Sequence, residues 1–74
     1  MKRALLIKGK KYTDGKGSIR EILDFGPQYA IYGGQIDGDN LQYKLIEKKR
    51  GPNKVGEVYV STAASFASWA REEV

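Results

Sequence analysis

Two runs of basic residues are the part of this sequence best suited to binding a ligand. One lies near the N-terminus and the other late in the chain, and their members are Lys8, Lys10, Lys11 and Lys16, then Lys48, Lys49, Arg50 and Lys54. Lys and Arg side chains neutralise phosphates and release counterions. If the two runs meet at one rim of the fold, they would bind the DNA or RNA backbone, or an acidic protein surface. The alternative is two solvated loops whose lysines oppose edge-to-edge aggregation.

Tyrosines provide a second set of candidate binding residues. The chain has five of them, which are Tyr12, Tyr29, Tyr32, Tyr43 and Tyr59. Tyrosines on a small sheet either stack on bases or fill the core with their hydroxyls at the rim. Tyr43 alternates with Leu41 and Leu45, which indicates a core position. Tyr12 lies within the first basic run and Tyr32 precedes two glycines, so we expect these two to be exposed and to supplement the basic loops.

Side chains for catalysis and for metal binding are scarce. The chain contains no Cys and no His, so it lacks disulfides, the usual zinc ligands and the commonest general base. Glu21 and Asp24 are three residues apart in a predicted strand and therefore face opposite sides. The segment 15–18 lacks the full phosphate-loop spacing, and the acidic turn 37–40 lacks the rest of a calcium loop. We predict no catalytic residue, no metal and no cofactor.

Length and charge limit the class of protein. The 74 residues carry a net charge of +4, which fits a single domain over residues 1–74 with a modest core. The first apolar run, residues 4–7, is too short for a signal peptide, and no run approaches a membrane span. The absence of Cys favours a reducing compartment. We expect a cytoplasmic protein with no membrane contact.

Closely spaced turn residues precede one C-terminal helix. Gly, Pro, Asp and Asn break the first sixty positions into short segments, which predicts strands within residues 3–60. The clearest segments are 18–25, 29–32, 41–46 and 55–60, with a possible bulge at Glu21. After Ser61-Thr62, a hydroxyl N-cap pair, apolar residues recur at helical spacing, which predicts a helix over about 62–73. We expect Phe66 and Trp69 to enter the core.

The predicted fold class is mainly β. It is a small five-stranded antiparallel sheet, either an SH3-like barrel or a strongly twisted sheet, capped by the one C-terminal helix.

Three segments of the chain resemble a family of small uncharacterised phage and prophage proteins. They are Gly17 to Leu23, Tyr29 to Tyr32, and the terminal Ser65-Phe66-Ala67-Ser68-Trp69-Ala70. The resemblance covers about three quarters of the chain through residues that are mostly of the core type. The family has no established activity, so the resemblance implies an SH3-like barrel and a phage or prophage origin.

These observations favour a small non-enzymatic binding module that binds nucleic acid through its basic loops. The alternative is a protein-interaction or structural component without nucleic-acid contact, such as a host-factor inhibitor or an accessory virion protein. We expect a monomer or a weak homodimer.

Overall fold

The computed structural model describes residues 1–29 and 39–74. Its strands are β1 (Lys11–Thr13), β2 (Ile19–Phe25), β3 (Asn40–Glu47), β4 (Val58–Thr62) and β5 (Glu72–Glu73), and helix α1 (Ala63–Trp69) lies between the last two. All five strands form one antiparallel sheet in the order β4-β3-β2-β1-β5. The predicted five-stranded sheet with a C-terminal helix is confirmed. Of the two forms expected, the open sheet is the one present in the described part of the chain, where β4 and β5 occupy opposite edges.

The core face of the sheet comes from alternating residues of its two longest strands. Ile22 of β2 lies opposite Tyr43 of β3. Tyr43, Leu41 and Leu45 are all buried, as their alternation predicts. The register of β2 against β3 shifts between Ile19 and Arg20 and again between Ile22 and Asp24. The pairing at Glu21 itself is regular, with Lys44 opposite it, so the bulge expected there is not present and the irregularities lie on either side of it.

Helix α1 begins where its hydroxyl cap predicts and packs its apolar side onto the sheet. The Oγ1 atom of Thr62 accepts a 3.1 Å hydrogen bond from the backbone N–H of Ser65. Ala63, Phe66 and Ala67 are buried. The Phe66 ring meets Tyr12 and Tyr43 edge-on, with ring centroids 5.9 and 5.6 Å away. Phe66 therefore joins the helix to both halves of the sheet.

The helix ends earlier than its apolar spacing indicates. It stops at Trp69, and Ala70 is already extended, with φ −74° and ψ 136°. The expected helix over 62–73 is wrong for its last turn, because residues 72–73 pair with β1 instead. The N–H groups of Arg71 and Val74 donate to the carbonyls of Thr13 and Lys11. This pairing provides hydrogen-bond partners for the backbone groups along one edge of β1. It also keeps Glu72 and Glu73 out of a helix C-terminus, where the helix dipole disfavours negative charge.

Other segment boundaries differ from the expected ones because short turns replace strand ends. Residues 3–5 form a 3₁₀ turn. Tyr29, expected to begin a strand over 29–32, ends a second 3₁₀ turn at Pro27–Tyr29, and the remainder of that segment lies outside the described residues. The last long strand begins at Val58 rather than Val55, because Gly56 takes a positive φ of 89° in a turn before it.

Candidate functional site

The turn between β1 and β2 lies against the loop that follows β3. The backbone of Gly17 approaches the Lys49 side chain so closely that a Cβ atom added at Gly17 would lie 3.2 Å from the Lys49 Cβ. Gly17 also has a φ of 103°, which disfavours any residue with a side chain. Glycine at this position therefore lets the two basic segments meet at one end of the sheet.

A cleft of about 660 Å³ opens where these segments meet. Its lining combines residues of the β1–β2 turn, β2, the loop after β3 and the last residue of α1, and the members are Asp14, Lys16, Ser18, Arg20, Lys49, Arg50 and Trp69. We call this the basic cleft, because its lining has four cationic side chains and one carboxylate. Such a concave surface concentrates positive potential where an anion would enter.

Arg20 forms part of the basic cleft and is fixed there by aromatic rings. Its guanidinium carbon lies 4.0 Å from the centroid of the Trp69 ring and 4.8 Å from that of Tyr43. Both distances fall within the range of cation–π attraction. Burial lowers the pKa of Arg20, partly offset by the nearby Tyr43 and Asp14 oxygens. A guanidinium nevertheless stays protonated at neutral pH, so a cation is held rigidly in the cleft.

The Nε donor of Arg20 is enclosed and has no acceptor within the described residues. The ion pairs found there, Arg3 with Asp39 and Lys8 with Asp24, do not include it. A charged donor group without a carboxylate partner is uncommon in a half-buried position, where its lost hydration is not replaced. Within the described residues Arg20 therefore has no carboxylate partner, although it lines the basic cleft.

Asp14 is the carboxylate of the basic cleft, and backbone donors hold it. Its Oδ1 accepts hydrogen bonds from the N–H groups of Lys16 and Ser18, at 2.8 and 3.2 Å. Desolvation raises the pKa of Asp14, but these N–H donors and the Lys16 charge outweigh it, and the pKa lies below the usual value. Asp14 is therefore ionised at neutral pH, and its charge closes the turn that carries Lys16.

A smaller cleft of about 180 Å³ adjoins the basic cleft. The two share Ser18, Arg20 and Arg50, and the smaller one is also lined by Leu45, Lys48 and residues 51–53. The Nζ of Lys48 donates a 3.0 Å hydrogen bond to the Gly51 carbonyl. We call this smaller depression the side cleft. Arg20 and Arg50 therefore lie where the basic cleft and the side cleft meet.

The two basic runs of the sequence come together only in part. Lys16, Lys48, Lys49 and Arg50 line the two clefts. The remaining members of the first run, Lys8, Lys10 and Lys11, do not. Lys8 pairs with Asp24 at 3.3 Å. Asp24 lies four residues beyond Arg20 along β2, so the two residues are on the order of 13 Å apart along the strand. The expected single patch of eight cations is therefore divided, because β2 separates the turn at its start from the turn at its end.

The aromatic candidates and Lys54 do not join the cleft. Tyr12 is 1% exposed, so its prediction as an exposed stacking residue is wrong. Its ring packs against Phe66, and its hydroxyl accepts from the Ile7 N–H and donates to the Leu5 carbonyl. Lys54 is exposed outside both clefts. Tyr32 lies outside the described residues.

Sequence reasoning did not identify four of the cleft residues as binding residues, and these are Asp14, Ser18, Arg20 and Trp69. Trp69, expected inside the core, packs at its margin and is half-buried. A signal for Arg20 was present in the alternation of β2, since Arg20 shares a face with the fully buried Ile22. An arginine on a buried face needs an aromatic or anionic partner, but this face also carries the charged Asp24, so the sequence pattern alone did not mark it as the core side.

Metal-binding clusters and membrane-spanning helices are both absent from residues 1–29 and 39–74. No group of three Asp or Glu side chains there is placed to hold a metal ion. No helix in the same residues is long and apolar enough to cross a membrane.

No family model, curated protein or solved structure matches this chain. The resemblance to small phage and prophage proteins therefore stays a prediction.

Proposed function

We propose that this protein is a non-enzymatic binding module that binds nucleic acid through the basic cleft. The observation that carries the proposal is the convergence of Lys16, Arg20, Lys49 and Arg50 around one concave surface. These residues come from two separate stretches of the chain, 16–20 and 49–50. Bringing like charges together costs free energy, which a bound anion recovers.

The balance of charge within the cleft favours an anionic ligand. Asp14 is the one carboxylate of the lining, and two backbone N–H groups already donate to it. Arg20 is held by rings rather than by a carboxylate. The one carboxylate of the lining therefore leaves N–H donors of the four cations for an anionic ligand.

The mixture of Arg and Lys supports phosphate as the anion. A guanidinium presents a planar fork that matches two phosphate oxygens, while ammonium groups act as mobile point charges around it. Fixed arginines with surrounding lysines are a common arrangement for phosphate contacts. We therefore favour the nucleic-acid backbone over a partner recognised by shape alone.

Trp69 provides a direct measurement of ligand binding. It is the chain's single Trp and it lines the basic cleft, so its fluorescence should change when a ligand enters. Titration with duplex and with single-stranded oligonucleotides at about 50 mM salt, where phosphate contacts are strong, tests the proposal. We expect a saturable change that weakens steeply towards about 200 mM salt. An unchanged signal with both oligonucleotides, together with unchanged anisotropy of labelled ones, would overturn the proposal.

A pair of double variants separates the cleft from general charge. Lys49→Gln with Arg50→Gln removes two charges from the cleft, and Lys10→Gln with Lys11→Gln removes two exposed charges elsewhere. Removal of one cation that neutralises a phosphate should reduce the slope of log K against log salt by about 0.7–0.9. Because the first double variant removes two such cations, we expect a reduction of about 1.4–1.8 there and a much smaller one in the second. Equal losses of affinity in both would indicate nonspecific attraction rather than a site.

An acidic protein surface is the alternative partner for the same cations. A polyglutamate peptide of matched charge distinguishes it, because carboxylates lack the charge density of phosphates. If the peptide binds more tightly than the oligonucleotide, the partner is an acidic protein and the nucleic-acid proposal is wrong.

A further inference from the structure

The position of Arg20 distinguishes it from the other cations of the site. Lys16, Lys49 and Arg50 are exposed, whereas Arg20 is half-buried and stacked on Trp69. Arg20 also lines both the basic cleft and the side cleft. An anion that reaches Arg20 must therefore enter the concave surface, and the exposed cations can contact anions that stay outside it.

The depth of this position bears on which phosphate could reach it. An internal phosphate of a nucleic-acid strand is flanked by a sugar on each side, so it presents its oxygens along a continuous backbone. A terminal phosphate has one substituent and projects beyond the last sugar. The projecting group is the one that can enter a cleft whose guanidinium is half-buried against Trp69 and Tyr43.

The number of charges in the cleft agrees with this geometry. Four cationic side chains and one ionised carboxylate line it. A phosphomonoester carries a charge of about −1.5 to −2 at neutral pH, against −1 for a phosphodiester. The cations of the cleft therefore attract a terminal phosphate more strongly than an internal one.

The side cleft provides the reason to choose a strand over an isolated phosphate group. It contains Lys48 and shares Arg50 with the basic cleft. In a nucleic-acid strand, a phosphodiester follows the terminal phosphate at a regular interval. When the terminal phosphate is in the basic cleft, this phosphodiester can occupy the side cleft.

Resting on the proposed function, we infer that the basic cleft binds the terminal phosphate of a single nucleic-acid strand, with Arg20 as the residue that selects it and the side cleft holding the next phosphodiester. Arg20 donates its outer N–H groups to the terminal phosphate oxygens, while Lys49 and Lys16 supply charge from the rim. The shared chemistry is a phosphomonoester, which a free nucleotide also carries.

Four single-stranded oligonucleotides of one sequence test this inference by fluorescence anisotropy. One carries a 5′-phosphate, one a 3′-phosphate and one no terminal phosphate. The fourth is one nucleotide longer with hydroxyl ends, so that it adds an internal phosphate instead, and each label is placed away from the end under test. We expect one phosphorylated strand to bind about tenfold more tightly than the unphosphorylated one, and the longer strand to gain no more than about twofold.

Three outcomes of this comparison are informative. If all four strands bind within about twofold while the Lys49 and Arg50 double variant still weakens them, the proposed function holds and the terminal-phosphate inference is wrong. If no single strand binds, the inference is wrong, and the proposed function is wrong as well unless a duplex binds. If a nucleoside monophosphate competes as well as the phosphorylated strand, the site takes the free nucleotide and the role of the side cleft is wrong.

Variants of Arg20 test its role as the selecting residue. Arg20→Lys keeps the charge and removes the planar fork, and Arg20→Gln removes both. We expect each to abolish the preference for the terminal phosphate while unphosphorylated strands lose no more than about threefold. Lys10→Gln is the matched control and should leave the preference unchanged.

Folding of these variants is checked by thermal melting. If both Arg20 variants are unfolded, the side-chain N–H signals of Arg20 in the unaltered protein replace them, and these should shift with the phosphorylated strand and not with the unphosphorylated one. A preference that survives in a folded Arg20 variant, or Arg20 signals that respond equally to both strands, overturns the inference.

Discussion

The guanidinium carbon of Arg20 lies 4.0 Å from the centroid of the Trp69 ring, so the start of β2 is joined to the end of α1 by a cation–π contact. Both residues also line the basic cleft. The same pair of side chains therefore closes the edge of the core and forms part of the candidate binding surface.

The contact between Arg20 and Trp69 should be measurable as a coupling energy. In a double-mutant cycle with Arg20→Gln and Trp69→Leu, we expect a coupling of about 0.5–2 kcal/mol, as for cation–π pairs that are partly desolvated. Urea unfolding followed by circular dichroism gives the four free energies of unfolding. Arg20→Lys serves as control, because an ammonium retains charge over the ring but not the planar stacking. Additive losses, to within about 0.3–0.5 kcal/mol, would contradict a direct interaction.

Truncating the two large aromatic residues of α1 should have unequal effects. Phe66 is 0% exposed and contacts Tyr12 and Tyr43, so Phe66→Ala should cost about 3–5 kcal/mol. Trp69 is half-buried at the margin of the core. Since water already reaches part of its ring, Trp69→Ala should cost less, about 1–3 kcal/mol. Thermal and urea unfolding of both variants measures the difference, and a larger loss for Trp69 would place that residue inside the core.

The close approach of Gly17 to Lys49 predicts a difference between two glycines of one turn. Gly15 and Gly17 both have positive φ, at 75° and 103°, so alanine at either should cost about 1–2 kcal/mol from the backbone alone. A Cβ atom at Gly15 meets nothing within 4 Å, whereas one at Gly17 meets Lys49. We therefore expect Gly17→Ala to be the more destabilising.

Amide chemical shifts give the decisive measurement for these two variants. Gly17→Ala should shift the signals of residues 48–50 and weaken oligonucleotide binding, because Lys49 must move. Gly15→Ala should leave both unchanged. Equal shifts at Lys49 in the two variants would mean that the turn and the loop are not in contact.

Asp24 should make stability depend on pH in the acid range. The Tyr29 hydroxyl donates to its carboxylate at 2.9 Å, the Phe25 N–H donates at 2.9 Å and Lys8 lies 3.3 Å away. These contacts, the Tyr29 hydrogen bond foremost, lower the pKa of Asp24. A lowered folded-state pKa stabilises the fold above the unfolded-state pKa of about 3.9, and this stabilisation disappears as the pH falls through the folded-state value.

Two variants isolate this effect of Asp24. Asp24→Asn should lower the melting temperature at neutral pH, and the difference from the parent protein should vanish in acid. Tyr29→Phe should raise the pKa of Asp24 towards its ordinary value, which a carboxyl carbon NMR titration measures directly. A pKa of Asp24 that is unchanged in Tyr29→Phe would exclude the hydroxyl as its main cause.

Local patterns in the sequence determined much of the secondary structure. The alternation of Leu41, Tyr43 and Leu45 predicted a buried strand, and Thr62 with the spacing of Ala63, Phe66 and Ala67 predicted the start and inner face of α1. Such features depend on residues a few positions apart, whose relative geometry the backbone period fixes. The sheet with its single helix follows from them.

Only the tertiary structure decided where Arg20, Trp69 and Tyr12 lie. The rings of Trp69 and Tyr43 hold the Arg20 side chain, the pairing of residues 72–73 with β1 ends the helix at Trp69, and the packing of Phe66 buries Tyr12. Each result comes from contacts between distant parts of the chain, and a strand period alone does not specify its partner. The basic runs were therefore correctly identified as cationic segments, but the folded sheet decided which of those cations share a cleft.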